Sequence, residues 1–323
     1  MVELLSSDDE ALAEAARACL ATTKNVATND VIAGAYSAAS PPGLRAKLLA
    51  LLANRRTQQA VPLSVGALSD PDQGVRLAAL DVLAFLGGAS QAAPVAKVVN
   101  TAADAPERDA AGKTLGTICS KHGDEVLGVV LNAMEGASTE ARRVLLGVLT
   151  RIGSAEALSA VLAELESDAQ PLQEEAVRVL CGWPTIVAAP ALLDLVKGDN
   201  LSRHVLGMRG YVRLAREQAQ GGNRVEMLAT AMDLVRRPDE KRLILAAWGT
   251  LPTVRSLDVL VPYLDEETVR GEAASAIIAV AGELGKRNKH ARPQAVVALQ
   301  AVLDKCGAES IRQSAQEALA ALQ

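Results

Sequence analysis

Three histidines, His122, His204 and His290, and four cysteines, Cys19, Cys119, Cys181 and Cys306, are the side chains here with the chemistry to hold a transition metal. Their spacing argues against it. The cysteines form no CxxC pair, and no histidine stands beside a carboxylate as in HExxH. Neither a zinc site nor a disulfide framework is expected; the thiols are expected to be free and mostly buried. Nucleophilic and phosphate chemistry fare no better. There is no GxSxG elbow, and Lys113 and Lys286, each preceded by glycine, lack the glycine five residues further back that a phosphate-binding loop needs. Asp70-Pro71-Asp72-Gln73-Gly74 outlines a calcium loop, but its glycine comes one residue early and no bidentate glutamate is placed to close it. The expectation is a non-catalytic chain without metal or cofactor.

The chemistry that remains is basic. Arg143, Arg151, Arg178, Arg209, Arg213 and Arg242 suit carboxylate or phosphate groups, and Trp183, which opens a Trp-Pro break, suits an apolar contact beside them. A net charge of -5 and a pI near 5.4 argue against a general nucleic-acid binder. Residues 1 to 140 hold 11 basic and 16 acidic side chains, and residues 141 to 323 hold 22 of each, so the acidic excess is N-terminal. An acidic peptide or a protein is therefore the expected partner, with binding of nucleic acid or another polyanion by the central arginines as an alternative. A plainer reading has the arginines solubilise helix faces and pair with Glu174, Glu175, Glu217 and Glu240.

What must position these residues is helical. Half of the 323 residues are apolar, yet only Phe85, Trp183, Trp248, Tyr36, Tyr211 and Tyr263 are aromatic. Alanine and leucine supply most of the rest, as in closely packed helices. No Gly/Ser/Pro-rich linker divides the chain. No run of 18 apolar residues is present to span a bilayer, and Met1 to Leu20 carries Glu3, Asp8, Asp9, Glu10 and Glu14 where a signal peptide is basic and then apolar. The chain reads as soluble, cytoplasmic as it stands, or periplasmic had an export signal been removed.

A repeat runs through it. Ala60 to Gly87 gives an apolar helix, a turn at Ser69-Asp70-Pro71-Asp72, and a second amphipathic helix. With Val75 as anchor, the frame recurs at Leu44, Val75, Glu107, Ala141, Leu172, Arg203, Glu240, Val269 and Ile311. The next residue is Arg45, Arg76, Arg108, Arg142, Gln173, His204, Lys241, Arg270 and Arg312 in turn. Eight places after the anchor stands Leu52, Leu83, Leu115, Leu149, Leu180, Tyr211, Trp248, Ile277 or Leu319, the core-facing stripe of each second helix. Pro62, Pro94 and Pro190 each precede their anchor by thirteen residues, near a helix start where a missing N–H costs little. Asp70, Asp168, Asp199 and Asp265 fall in the turns. Positions two, six and ten after the anchor are off the core stripe and carry the six arginines.

The turn Asp in Ser69-Asp70-Pro71-Asp72 and the basic residue in Val75-Arg76 resemble the HEAT family, including the short units of phycobilin-lyase-related and other bacterial proteins. The resemblance covers residues 28 to 322. It implies an all-α solenoid, with repeats at about 28–54, 60–87, 91–119, 124–153, 154–184, 187–217, 223–252, 253–284 and 291–322 and a capping helix at 8–23, the whole of 1–323 being one domain. It also implies second helices lining a concave groove, polar turn and second-helix positions forming a ladder between repeats, and a scaffold function. HEAT-type metal hydroxylases need His-Glu pairs that this chain lacks. HEAT-like DNA glycosylases place aromatic and acidic residues in a basic groove, but Trp248 falls on the core stripe. The YVRLARE and DEKRLILAAWG segments also resemble HEAT stretches appended to exported carbohydrate-active or dehydrogenase-like enzymes, an alternative context. Two insertions, Glu217 to Arg224 and Gly285 to Pro293, are candidate binding loops, the second carrying Lys286, Arg287, Lys289 and Arg292.

Overall fold

Second helices begin where a short polar side chain can accept an otherwise orphaned amide proton. Asp72 accepts from the Val75 amide at 3.1 Å, Asp104 from Glu107 at 2.9 Å, Ser138 from Ala141 at 3.2 Å and Asn200 from Arg203 at 3.0 Å. Each amide satisfied belongs to an anchor, so the anchor sits in the first turn and its cap three residues earlier. Of the turn acids read from the sequence, Asp70 and Asp199 stand just outside this capping position, which Asp72 and Asn200 occupy.

The computed structural model describes residues 1–38 and 41–322, and within them every regular element is helical. The chain divides into two compact units, Met1–Val179 and Leu180–Gln323. The first contains α1 (Glu10–Thr22), α2 (Ala27–Ser37), α3 (Pro42–Asn54), α4 (Ala60–Ala67), α5 (Gln73–Leu86), α6 (Ala92–Thr101), α7 (Ala105–His122), α8 (Leu127–Met134), α9 (Thr139–Leu149) and α10 (Ala155–Ala163). The boundary falls within α11 (Gln170–Cys181). The second unit continues with α12 (Ala189–Lys197), α13 (Leu201–Glu217), α14 (Gly221–Asp233), α15 (Pro238–Trp248), α16 (Val254–Leu260), α17 (Arg270–Arg287), α18 (Arg292–Lys305) and α19 (Glu309–Ala320). Pro62, Pro94 and Pro190 lie within the first three residues of α4, α6 and α12.

In the first unit α3, α5, α7 and α9 pack successively side by side, with α4, α6 and α8 against them as a second layer. Leu52, Leu83, Leu115 and Leu149 are wholly buried between the layers. Fully burying one such side chain stabilises by about 1.5–3 kcal/mol. Ahead of them α1 packs on α3, and Arg55 donates to the Leu20 and Thr23 carbonyls at 2.6 and 2.7 Å, tying down the C-terminal end of α1. In the second unit α13, α15, α17 and α19 form the corresponding row. Tyr211, Trp248 and Ile277 are buried there, while Leu319 is half-buried.

Two glycines show how close the packing is and where it relaxes. A Cβ on Gly210 in α13 would lie 2.9 Å from the Cys181 carbonyl oxygen and 3.0 Å from Leu192 Cδ2, whereas one on Gly147 in α9 would meet nothing within 4 Å. Gly147→Ala should therefore stabilise by up to about 1 kcal/mol through helix propensity. Gly210→Ala should destabilise despite the same propensity gain, because backbone must move. Thermal unfolding by circular dichroism checks both signs.

Candidate partner-binding groove

The residue after most anchors turns back to the end of the first helix, whose last carbonyls lack intrahelical donors. Arg76 donates from Nη1 to the Asp70 carbonyl at 2.8 Å, Arg108 from Nη2 to Ala102 at 2.7 Å, Gln173 from Nε2 to Ser167 at 2.7 Å and Arg270 from Nε to Leu264 at 2.8 Å. Arg312 reaches the Leu303 and Cys306 carbonyls, and Arg142 that of Met134. A cation is also favoured there by the helix dipole.

Several of these residues reach the next hairpin as well. Arg45 pairs with Asp70 at 2.7 Å, Arg142 with Glu164 at 3.3 Å, and Lys241 with Glu266 at 2.7 Å. Arg76 grips Glu107 with both nitrogens of a fork, at 2.5 and 2.7 Å. Glu107 is 2 % exposed, a carboxylate in the apolar anchor position that only a cation from the preceding hairpin makes tenable.

Glu240 repeats the device with a histidine. Wholly buried His204 sets Nδ1 2.6 Å from the Val196 carbonyl and Nε2 3.1 Å from Glu240 Oε2. That oxygen also accepts from the Arg236 and Arg237 amides at 2.9 and 3.1 Å. Burial pushes the Glu240 carboxyl upward, but these donors outweigh it and hold the group below its ordinary value. The sequence signal for both buried acids is the same: a glutamate on a mostly apolar position, one repeat after Arg76 or His204.

The six arginines fare differently from one another. In the first unit Arg143 and Arg178 converge on buried Glu175, Arg143 at 3.6 Å and Arg178 from Nε at 3.1 Å. Arg151, just past α9, makes no ion pair or side-chain hydrogen bond among the described residues. In the second unit Arg213 donates to the Trp183 carbonyl at 2.6 Å and pairs with Glu217, and Arg242 pairs with Asp239 and Glu272 at 2.9 and 3.2 Å. Arg209 is exposed and has no acidic partner among the described residues. Trp183 is 0 % exposed, so its expected contact with a partner is corrected: it is a core residue, enclosed where α11 ends.

What the first unit does build is a groove of about 590 Å³ along α7 and α9. Gly112, Gly116 and Gly147 line it, Val144 and Val148 give it an apolar wall, and Lys113, Lys121 and Arg151 stand around it with Asp109 at one end. Asp109, Lys113, Thr117, Gly147 and Arg151 are positions two, six and ten of two successive repeats. A second recess shares Asp109, Val144 and Gly147 and extends to Arg143, Glu175 and Arg178. The off-stripe pattern in the sequence picks out Arg143, Arg151 and Arg178; Lys113 stands out only for its failed phosphate loop, and Lys121, outside positions two, six and ten, and the glycines give no signal.

Residues 29–116 match the family model of HEAT repeats. None of the curated proteins matches the chain. Among solved structures, Kap121p bound to Pho4p aligns with 99 % of the chain at a TM-score of 0.55 and 11 % identity. Importin beta does so at 0.55 and 11 %, and the Kap95p structure with RanGDP at 0.54 and 12 %. The chain has an all-α solenoid fold, and its residues 29–116 match HEAT repeats. It spans 41 %, 52 % and 48 % of the lengths of those three proteins. Along this solenoid the ladder between hairpins is present but broken, with Arg108, Arg270 and Arg312 reaching only the carbonyls of their own turns.

The described residues contain no group of three or more His, Cys, Asp or Glu side chains able to hold a metal ion, and no helix long and apolar enough to cross a membrane. Burial pushes the Cys119 and Cys181 thiols up to about 11, which keeps them protonated and unreactive near neutrality. The Glu240 cluster yields a pH prediction. Because its carboxyl is lowered from an ordinary 4.5, its stabilising charge is fully present above that value and is lost as pH falls through the lower folded value. Glu240→Gln should cost the second unit about 1–3 kcal/mol at pH 7 and leave its stability less steeply dependent on pH below 4.5 than in the wild type. Both tryptophans lie in that unit, so tryptophan fluorescence during thermal unfolding reads it selectively.

Proposed function

We propose that the chain is a non-catalytic protein-interaction scaffold that takes its partner along the exposed faces of its second helices. The observation that carries this reading is the division of labour on those helices. The residue after the anchor is committed to turn carbonyls and neighbouring acids, while Lys113 and Arg151 stand uncommitted beside the groove of the first unit and Arg209 stands uncommitted and exposed on α13 in the second. Stacked hairpins offer long surfaces suited to extended partners. The similarity to Kap121p bound to Pho4p and to Kap95p with RanGDP, both carrying protein partners on the same fold, supports the same use here. An acidic partner follows from the sign of the uncommitted charges.

Affinity capture from a cell extract tests it with the wild type beside Lys113→Glu/Arg151→Glu and Arg209→Glu. A partner retained by the wild type and lost from at least one variant of unchanged helicity is the expected result. Unchanged capture by both variants would confine these side chains to solubility, and recovery of nucleic acid in place of protein would replace this reading with polyanion binding.

A further inference from the structure

The three glycines of the groove in the first unit are not there for the same reason. A Cβ on Gly112 would lie 2.3 Å from Val144 Cγ1, so Gly112 is needed for α7 and α9 to approach. One on Gly116 would press against the Arg151 side chain at 3.3 Å. Gly147 has no such neighbour within 4 Å. Its counterparts six places after the other anchors are Ala50, Asp81, Lys113, Arg178, Arg209, Ala246, Ser275 and Glu317, all with side chains. A glycine inside a helix sacrifices about 1 kcal/mol relative to alanine. Nothing in the packing of α9 repays that cost; what it leaves is open floor beside Val144 and Val148.

The charges around this floor form a second, independent observation. Lys113 and Arg151 have no acidic partner among the described residues, and Lys121 spends its ammonium only on the Ala84 and Phe85 carbonyls, at 3.1 and 3.3 Å. Along α7 the order is Asp109, Lys113, Thr117, Lys121, so the acid stands at the N-terminal end of the groove and the cations toward the other. That polarity, and a lining without an aromatic ring to stack a base, suit a peptide better than a nucleic-acid strand.

We infer that this groove binds a short acidic peptide segment with one apolar anchor: the anchor lies on Gly147 between Val144 and Val148, and carboxylates next to it bind Lys113 and Arg151. The inference rests on the scaffold reading and narrows it to one site and one ligand chemistry. A Leu-sized anchor buried there contributes about 1.5–3 kcal/mol, or roughly 10- to 150-fold in affinity.

The test is fluorescence anisotropy on the full chain with three labelled probes: Gly-Ser-Leu-Glu-Asp-Glu-Gly-Ser, the same peptide with glycine for leucine, and a 20-nucleotide single-stranded DNA. The wild type should bind the leucine peptide at least about 10-fold more tightly than the glycine peptide, with affinity falling as salt rises. Gly147→Leu, which fills the floor, should erase that preference, and Arg151→Glu should weaken both peptides by about 10-fold. Gly147→Ala, which adds one methyl, keeps a correctly folded comparison in hand should Gly147→Leu unfold; it should reduce the leucine preference while raising thermal stability. Equal binding of the two peptides by the wild type, or an unchanged preference in both Gly147 variants, overturns the inference, as does DNA binding tighter than either peptide. If the groove fails in this way while capture still depends on Arg209, the scaffold reading stands and only this site is lost.

Discussion

Each hairpin of this chain faces the same problem: the first helix ends in carbonyls that need donors, at a turn that must also meet the next hairpin. At Arg76, Arg142 and His204 the residue after the anchor answers both needs. Arg76 is the fullest case, with one nitrogen on the Asp70 carbonyl and a fork on Glu107 of the following hairpin. Where the cation is replaced, chemistry of the same kind persists, as an amide at Gln173 and as an imidazole at His204. Stacking of the apolar stripe supplies most of the stabilising free energy. The polar clamp fixes the angle and register at which one stripe meets the next, and it is costly to leave half-made where its acid is buried, as Glu107 and Glu240 are.

That constraint explains which parts of the sequence were legible. A fixed offset between an anchor and an apolar residue eight places on recovers the core, from Leu52 through Leu115 to Ile277, because burial imposes the 3.6-residue period directly. The solenoid class follows from that stripe. What could not be read was any feature depending on which residue faces which across two hairpins. Glu107 and Glu240 look like lapses in an apolar position until their partners 31 and 36 residues earlier are known. Trp183 looked available at a Trp-Pro break, but the chain folds it wholly inward. Arg213, chosen as a partner contact, holds the Trp183 carbonyl that this inward turn leaves behind.

The same logic separates the arginines. A basic side chain that reaches a turn carbonyl or a buried acid is committed to structure, as Arg142, Arg178 and Arg242 are to different degrees. One that stands over a glycine-opened face, as Arg151 does at the same offset as Arg213, is not. Periodicity alone distinguishes a core face from an outer face, but not an outer residue with a neighbour from one without. For that reason the groove between α7 and α9 emerged only with the glycines, whose lack of a side chain carries no signal in a pattern built from apolar and charged residues.

At Arg76 and His204 the residue after the anchor couples successive hairpins through a buried acid, Glu107 and Glu240, and so stays out of the exposed second-helix face. A double-mutant cycle at Arg76 and Glu107, read by hydrogen exchange of the α7 amides, tests it most directly. Arg76→Leu alone should lower the protection of α7 by about 2–4 kcal/mol by stranding Glu107, and Arg76→Leu with Glu107→Leu should recover most of the loss. Losses that simply add, to within about 0.5 kcal/mol, would mean that the two side chains act independently and that the clamp does not exist.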